Sequence, residues 1–199
     1  MSTPLRRRFR RKGQRVGASG DRNAFSLMEL LIVVAIIGMI NGLTIAFSGH
    51  EWQRERINSV ALGLAGWLEE VRVNALRKTS DTATVGGCQV TVSTLTDAVA
   101  GTSVASVSPT DCASSPTFVI PGVSGNVDRY TIVNSNADTI TFTPRGSVTA
   151  TSDATINIQL VGTRQLRCVR VSSILGLIRI GNSTSAGSAA DLCNDYSHF

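Results

Sequence analysis

Histidine and proline are scarce in this 199-residue chain, and each shortage excludes something. The two histidines are His50, near the end of an apolar run, and His198, near the end of the chain. Because neither position resembles a catalytic centre, the sequence speaks against the common histidine-dependent hydrolases. No proline occurs between Pro4 and Pro109, so no proline interrupts a helix predicted over residues 25–78.

Aromatic residues make up only 5% of the chain and charged residues 17%, which leaves a modest, mostly aliphatic core. A length of 199 residues suits one globular domain with appendages rather than two large domains. The net charge of +5 is unevenly placed, because residues 1–24 hold eight basic residues and one acidic residue. The other 175 residues hold 11 basic and 13 acidic groups. The overall positive charge is therefore no evidence for nucleic-acid binding by the rest of the chain.

An apolar run from Leu30 to Phe47 follows the basic segment. As a helix, this run would measure about 27 Å, close to the ~30 Å hydrocarbon core of a membrane, and it can span one. The positive charges before it predict that this end stays in the cytoplasm and that the remainder is exported. A cleavable secretory signal is the alternative, but no small-x-small cleavage site follows the run. An acidic residue, Glu29, also stands at its front edge, where a carboxylate needs a partner or access to headgroups.

The residues around Glu29 resemble the N-terminus of type IV prepilins and type II secretion pseudopilins. The shared pattern is a basic leader, a small residue before Phe25, Glu29 as the fifth residue from Phe25, and an aliphatic run over Leu30–Gly38. The resemblance implies that a prepilin peptidase cuts between Ala24 and Phe25 and methylates the new amino group. It also implies that Glu29 meets the Phe25 amine of a neighbouring subunit in a filament. Ala24 departs from the pattern, which usually has Gly at this position.

Beyond the membrane segment the helical pattern becomes amphipathic, which predicts one apolar stripe packed on a sheet. The segment Leu64–Lys78 resembles the helix end of the GspH/FimT family of minor pilins and pseudopilins, with Val71–Ala75 in place of an Ala-Arg-x-x-Ala-like pattern. Phe142–Val148 resembles the Phe-x-Pro-x-Gly turn of the same family. The predicted stripe consists of Ile57, Val60, Ala61, Leu64, Leu68, Val71 and Ala75.

After residue 80 the hydrophobic period changes to two, which predicts strands that bury one face and leave the other in water. Gly162-Thr163 predicts a tight hairpin between two of these strands. Two segments rich in small polar residues, 98–115 and 182–190, are predicted to be loops. The predicted strands centre on residues 89–93, 139–143, 156–161 and 165–171.

These patterns predict an α+β fold of the type IV pilin kind, in which a long N-terminal helix packs on an antiparallel β-sheet head domain. The first half of the helix is expected to span the membrane. The resemblance implies a single-pass protein of the bacterial inner membrane, with an exported head, that is later assembled into a pilus or pseudopilus. The predicted parts are a basic leader at 1–24, a membrane-spanning half-helix at 25–48, an amphipathic half-helix at 49–79 and a β-rich head at 80–199 with a disulfide-pinned C-terminal tail.

All four cysteines lie in the part predicted to be exported, where disulfides can form. Of the three possible pairings, Cys88–Cys112 and Cys168–Cys193 are favoured because each closes a short loop. A metal site is the alternative. The spacings of 24, 56 and 25 residues include no Cys-x-x-Cys pair and no nearby histidine, so no metal or other cofactor is expected.

The stretch between Val161 and Ile180 carries four arginines and no acidic residue. The FimT branch of the family binds DNA through a C-terminal Gly-Arg-x-Arg motif. The resemblance implies that residues 176–179 occupy its place, with the first arginine missing, so double-stranded DNA is one candidate partner. The other interpretation is a solvated sheet face, because charge-led binding needs several cations along one backbone and a regular strand places Arg167 and Arg170 on opposite faces. The four arginines are Arg164, Arg167, Arg170 and Arg179.

Three functional classes follow from these features. The first is a minor pilin or pseudopilin, a structural and assembly subunit of a type IV pilus or type II secretion pseudopilus, with or without a part in DNA uptake. Its implied partners are other pilins or pseudopilins, a prepilin peptidase and the inner membrane. The second is a DNA-binding module at a pilus tip. The third, a membrane-tethered exported enzyme, lacks any Ser-His-Asp, Cys-His or paired-carboxylate arrangement, so the sequence favours a non-enzymatic subunit.

Overall fold

The chain divides into two compact units, residues 1–46 and 47–199, which are considered separately. One long α-helix, α1, spans Leu27–Arg77. The processing site predicted at Ala24 and Phe25 lies outside the described residues. The computed structural model describes residues 26–78, 87–122, 128–135, 138–184, 186–191 and 193–198.

In the first unit, α1 carries a continuous set of exposed apolar side chains. Eleven large apolar residues between Leu27 and Ile40 are 47–77% exposed. Glu29 lies in the first turn, where the positive end of the helix dipole stabilises a carboxylate. None of the helices in the described part of the chain is both long enough and apolar enough to cross a membrane. The membrane-spanning segment therefore stays a prediction.

In the second unit, the amphipathic stripe predicted from the sequence is confirmed, because all seven of its residues are at most 1% exposed. Trp67 is buried beside this stripe and donates its Nε1–H to the carbonyl of Ser115 at 3.0 Å. Asn74 donates its amide to the carbonyl of Cys112 at 3.0 Å. Apolar burial and hydrogen bonds to residues 112–115 thus both fix this half of the helix.

The described residues contain ten strands, and every paired strand is antiparallel to its neighbour. The antiparallel head expected from the sequence is confirmed. The strands are β1 (Cys88–Val92), β2 (Leu95–Ala98), β3 (Ser103–Ser108), β4 (Thr117–Val119), β5 (Tyr130–Ser135), β6 (Thr139–Phe142), β7 (Ala154–Leu160), β8 (Leu166–Val171), β9 (Ile178–Ser183) and β10 (Asp195–His198).

The strands form two sheets, a four-stranded sheet of order β4-β3-β1-β6 and a six-stranded sheet of order β10-β9-β8-β7-β5-β2. One core contains buried residues of α1 and of both sheets, including Val169 and Val171. We call the sheet face that carries these two valines the inner face. Leu166 and Cys168 lie on the opposite, outer face, in a smaller cluster with residues of the C-terminal tail, 184–194.

The hairpin predicted at Gly162-Thr163 is confirmed. It joins β7 to β8, and Gly162 has a φ of 82°, a left-handed conformation that favours glycine. The loop predicted at 98–115 is wrong, because β3 and the end of β2 lie within it, followed by a 3-10 turn at Thr110–Cys112. The small residues Val104, Ala105 and Val107 of β3 are buried, so small size here reflects tight packing. The loop predicted at 182–190 is wrong only at its start, where β9 continues to Ser183.

The prediction that β7 leaves its polar face in water is also wrong. Thr155 is 8% exposed and Asn157 is fully buried. The C-terminal tail covers this outer face, since the Asn157 amide donates to the carbonyls of Ala189 at 2.9 Å and Asp191 at 3.0 Å. A period of two therefore identified the strand but carried no information about what covers its polar side.

Candidate functional site

Three segments that carried the sequence resemblance meet at Arg72 of α1. Its Nε donates to the carbonyl of Gly146 at 3.3 Å, in the turn after β6, and its Nη2 donates to the carbonyl of Leu175 at 3.5 Å, in the turn after β8. Its Nη1 pairs with Glu69 one turn earlier in the helix, at 2.9 Å. Arg72 thereby ties two turns of the head to one helix, and we call this the Arg72 junction.

Two glycines allow the turns to come together at the Arg72 junction. Gly146 has a φ of 77° and Gly176 a φ of 61°, a region that side chains with a Cβ rarely adopt. A Cβ added to Gly176 would collide with the carbonyl oxygen of Gly146. Both backbone freedom and close approach therefore require glycine here. The arrangement is architectural, since no reactive group is brought to another.

Two disulfides, Cys88–Cys112 and Cys168–Cys193, brace the head. They are the two pairings that loop length favoured. The second bond joins β8 to the C-terminal tail, and with Asn157 it holds the tail on the outer face of the six-stranded sheet. Within the described residues, no cysteine is left unbonded.

The structure separates the four arginines between Val161 and Ile180. Arg164 is exposed in the turn between β7 and β8. Arg167 alternates with the core residue Val169 and therefore lies on the inner-face side, where burial and then the positive charge of Arg54 lower its pKa. Arg170 and Arg179 lie directly opposite each other on β8 and β9, on the outer-face side. Only this last pair is brought together, so the four do not form one patch.

Arg170 is held by groups on the same face. Its Nη2 lies 2.7 Å from the carboxylate of Asp153, its Nε donates to the same oxygen at 2.9 Å, and its guanidinium carbon is 5.3 Å from the ring centroid of Tyr196. The backbone N–H of Ser173, more than Arg170, lowers the pKa of Asp153. Arg179 has a buried Nε. The interpretation as a solvated face therefore does not describe this pair.

A groove of about 630 Å³ runs beside α1, with Val73 and Ile178 among its apolar lining residues. Its two carboxylates are already engaged, because Glu69 pairs with Arg72 and Glu70 accepts the backbone N–H of Ser114 at 2.7 Å. It therefore offers no pair of carboxylates for acid–base chemistry. Among the residues that the structure describes, no three His, Cys, Asp or Glu side chains are placed to hold a metal ion.

Sequence reasoning identified Arg72, Gly146 and Gly176 as parts of separate motifs but did not join them. It missed Asn157 and Tyr196 as residues that position the tail and the arginine pair. The only signal for Asn157 was a polar residue in an otherwise aliphatic strand. For Tyr196 the sequence held no local signal, because its position depends on how the tail returns to β9.

Comparison with known proteins yields one family. Over residues 73–175, more than half of the chain, the sequence matches the family described as type II transport protein GspH. The matched stretch begins immediately after Arg72 and ends at Leu175, so the Arg72 junction closes it and strands β1 to β8 lie within it. No curated protein and no solved structure matches the chain. The family match and the pilin-like antiparallel head agree, and this chain belongs to the GspH family of type II transport proteins.

Proposed function

We propose that this chain is a pseudopilin that joins the pseudopilus of a type II secretion system through the first half of α1. Membership of the GspH family supports a structural role in type II secretion. The observation that carries the assembly step is the set of eleven large apolar side chains between Leu27 and Ile40, each at least 47% exposed. Burial of one such side chain contributes about 1.5–3 kcal/mol, so this surface favours lipid or neighbouring helices over water.

The processing steps of the proposal rest on the prepilin-like sequence. A prepilin peptidase removes residues 1–24 and methylates the new N-terminus at Phe25. The single apolar segment holds the subunit in the inner membrane, with the head exported. In the filament, Glu29 pairs with the Phe25 amine of a neighbouring subunit, which supplies the partner that a carboxylate in an apolar environment requires.

A DNA-capturing function gains no support from the geometry. Charge-led binding to duplex DNA needs several cations along one phosphate backbone. Arg167 lies on the opposite side of the strand from Arg170, and the charge of Arg170 is paired with Asp153. Assembly into a secretion filament is therefore the function that the family and the helix support best.

The test replaces one carboxylate at a time in cells that use this chain for secretion. The Glu29→Gln variant removes the proposed partner of the Phe25 amine, and Glu51→Gln is the matched control, an exposed glutamate on the same helix. We expect Glu29→Gln to be cleaved normally but to fall at least tenfold in co-purification with the other pseudopilins, while Glu51→Gln behaves as wild type. Assembly of Glu29→Gln at the wild-type level would contradict the proposal.

A further inference from the structure

A small polar cavity of about 160 Å³ lies at the end of the outer face, around the arginine pair. It is distinct from the apolar part of α1 on which the proposed function rests. Its walls come from β8, β9, β10 and the residues just before β7 and after β8. The cavity is lined by Asp153, Arg170, Ser172, Leu177, Arg179 and Tyr196.

The charges around this cavity do not cancel. Arg170 and Arg179 are directly opposite residues of neighbouring strands, an arrangement in which like charges repel. Asp153 contributes one negative charge, and its oxygens are occupied by Arg170 and by the backbone N–H of Ser173 at 2.9 Å. Two guanidinium groups therefore share one carboxylate, which leaves an excess of one positive charge.

Arg179 also carries an unsatisfied donor. Its Nε is buried and has no acceptor among the described residues, and no described carboxylate forms an ion pair with its guanidinium. A buried donor without an acceptor is unfavourable and is rare in folded proteins. The donor and the excess charge independently point to a missing negatively charged acceptor.

The cavity is held in shape by the packing of Tyr196. This residue lies opposite Gly181 of β9, and a Cβ added to Gly181 would lie 2.7 Å from the tyrosine ring. Glycine therefore lets the ring approach the strand, where it also contacts Arg170. The disulfide between Cys168 and Cys193 fixes the tail immediately before β10. These constraints define the site before any ligand arrives.

We propose that Arg170 and Arg179 form a receptor for a single carboxylate group. The planar fork of an arginine suits a carboxylate, which can accept two parallel hydrogen bonds. One carboxylate neutralises the excess charge, whereas a free phosphate, at about −1.5 to −2, would leave net negative charge beside Asp153. The ligand is either an acidic side chain of a partner polypeptide or a free carboxylic acid.

The test follows the arginine Nε–H signals of the ¹⁵N-labelled full chain in non-ionic detergent by NMR. Sodium acetate is titrated against sodium chloride at constant ionic strength, and sodium phosphate is a separate arm. We expect a saturable acetate-dependent shift of Arg179 at least five times that of the exposed Arg164. A linear or absent shift at Arg179, the same shift with chloride, or tighter binding of phosphate than of acetate would overturn the proposal.

A second arm identifies the source of the carboxylate. The blocked peptides acetyl-Ala-Glu-Ala-amide and acetyl-Ala-Gln-Ala-amide are compared with acetate. Tighter binding of the glutamate peptide than of acetate supports a protein partner, equal binding supports a free carboxylic acid, and equal binding of both peptides overturns the proposal. In Arg179→Lys, followed at Arg170, we expect at least tenfold weaker acetate binding, whereas Arg164→Lys keeps wild-type affinity. An Arg179→Lys affinity within twofold of wild type would also refute the assignment.

Discussion

Replacing both cysteines of the tail disulfide, Cys168→Ala with Cys193→Ala, tests what holds the tail on the outer face of the six-stranded sheet. In the native chain, this bond and the two hydrogen bonds from Asn157 attach the tail to β7 and β8. Without the bond, the hydrogen bonds and the burial of Ala186 and Ala189 must hold the tail alone. We expect the tail to open far more often than the rest of the head.

The expected loss of stability follows from the length of chain that the bond closes. The bonded residues are 25 positions apart, and the loop-entropy relation gives about 3.5 kcal/mol of stabilisation for such a loop. The other disulfide, Cys88–Cys112, has a separation of 24 and the same expected contribution of about 3.5 kcal/mol. Cys88→Ala with Cys112→Ala is therefore a control matched in global effect but not in location.

Two measurements separate the global effect from the local one. Guanidinium unfolding is expected to give similar losses for the two double variants. Hydrogen exchange of residues 184–194 is expected to accelerate by at least tenfold more in the tail variant than in the control. If the tail of the Cys168→Ala, Cys193→Ala variant exchanges as slowly as the core strands, the disulfide does not hold the tail.

Three further outcomes are expected. Leu68→Ala empties a fully buried position of the helix stripe and should lower the free energy of unfolding by about 2–5 kcal/mol, whereas Leu62→Ala, at an exposed position, should change it by about 0.5 kcal/mol or less in denaturant titrations. Gly176→Ala should destabilise the Arg72 junction by about 1–3 kcal/mol, because the new Cβ meets a carbonyl at a positive φ, whereas Gly66→Ala, in open space on a helix, should stabilise by about 0.5–1 kcal/mol; the opposite signs would refute the close approach. The lowered pKa of Asp153 means that its stabilisation is present above the unfolded value of 3.8 and is lost as the pH falls through the lower folded value, so Asp153→Asn should show a smaller drop in melting temperature between pH 5 and pH 3 than wild type.

The sequence predicted the elements whose side chains repeat with a regular period. The helix stripe from Ile57 to Ala75, the alternating strands and the Gly162-Thr163 hairpin are confirmed, because their periodicity reflects burial against one continuous core. It did not predict β3, where serine and alanine are typical of both loops and tightly packed strands. Composition cannot separate these two cases without knowledge of the neighbouring strand.

The candidate sites were harder to predict, because they depend on contacts between distant segments. Strand alternation placed Arg167 and Arg170 on opposite faces, and the structure agrees. Nothing local indicated that Arg179 would lie opposite Arg170, since that pairing depends on the register of β8 with β9. Nor did the sequence indicate that Asp153, 17 residues before Arg170, would neutralise one arginine and not the other.

The pseudopilin function is tested most directly by the mass of the N-terminus after co-expression with a prepilin peptidase. The chain should lose residues 1–24 and begin at Phe25 with one added methyl group, and a catalytically inactive peptidase should leave it intact. A chain that keeps residues 1–24 in the presence of an active peptidase, while a known prepilin in the same cells is cleaved, would contradict the assignment.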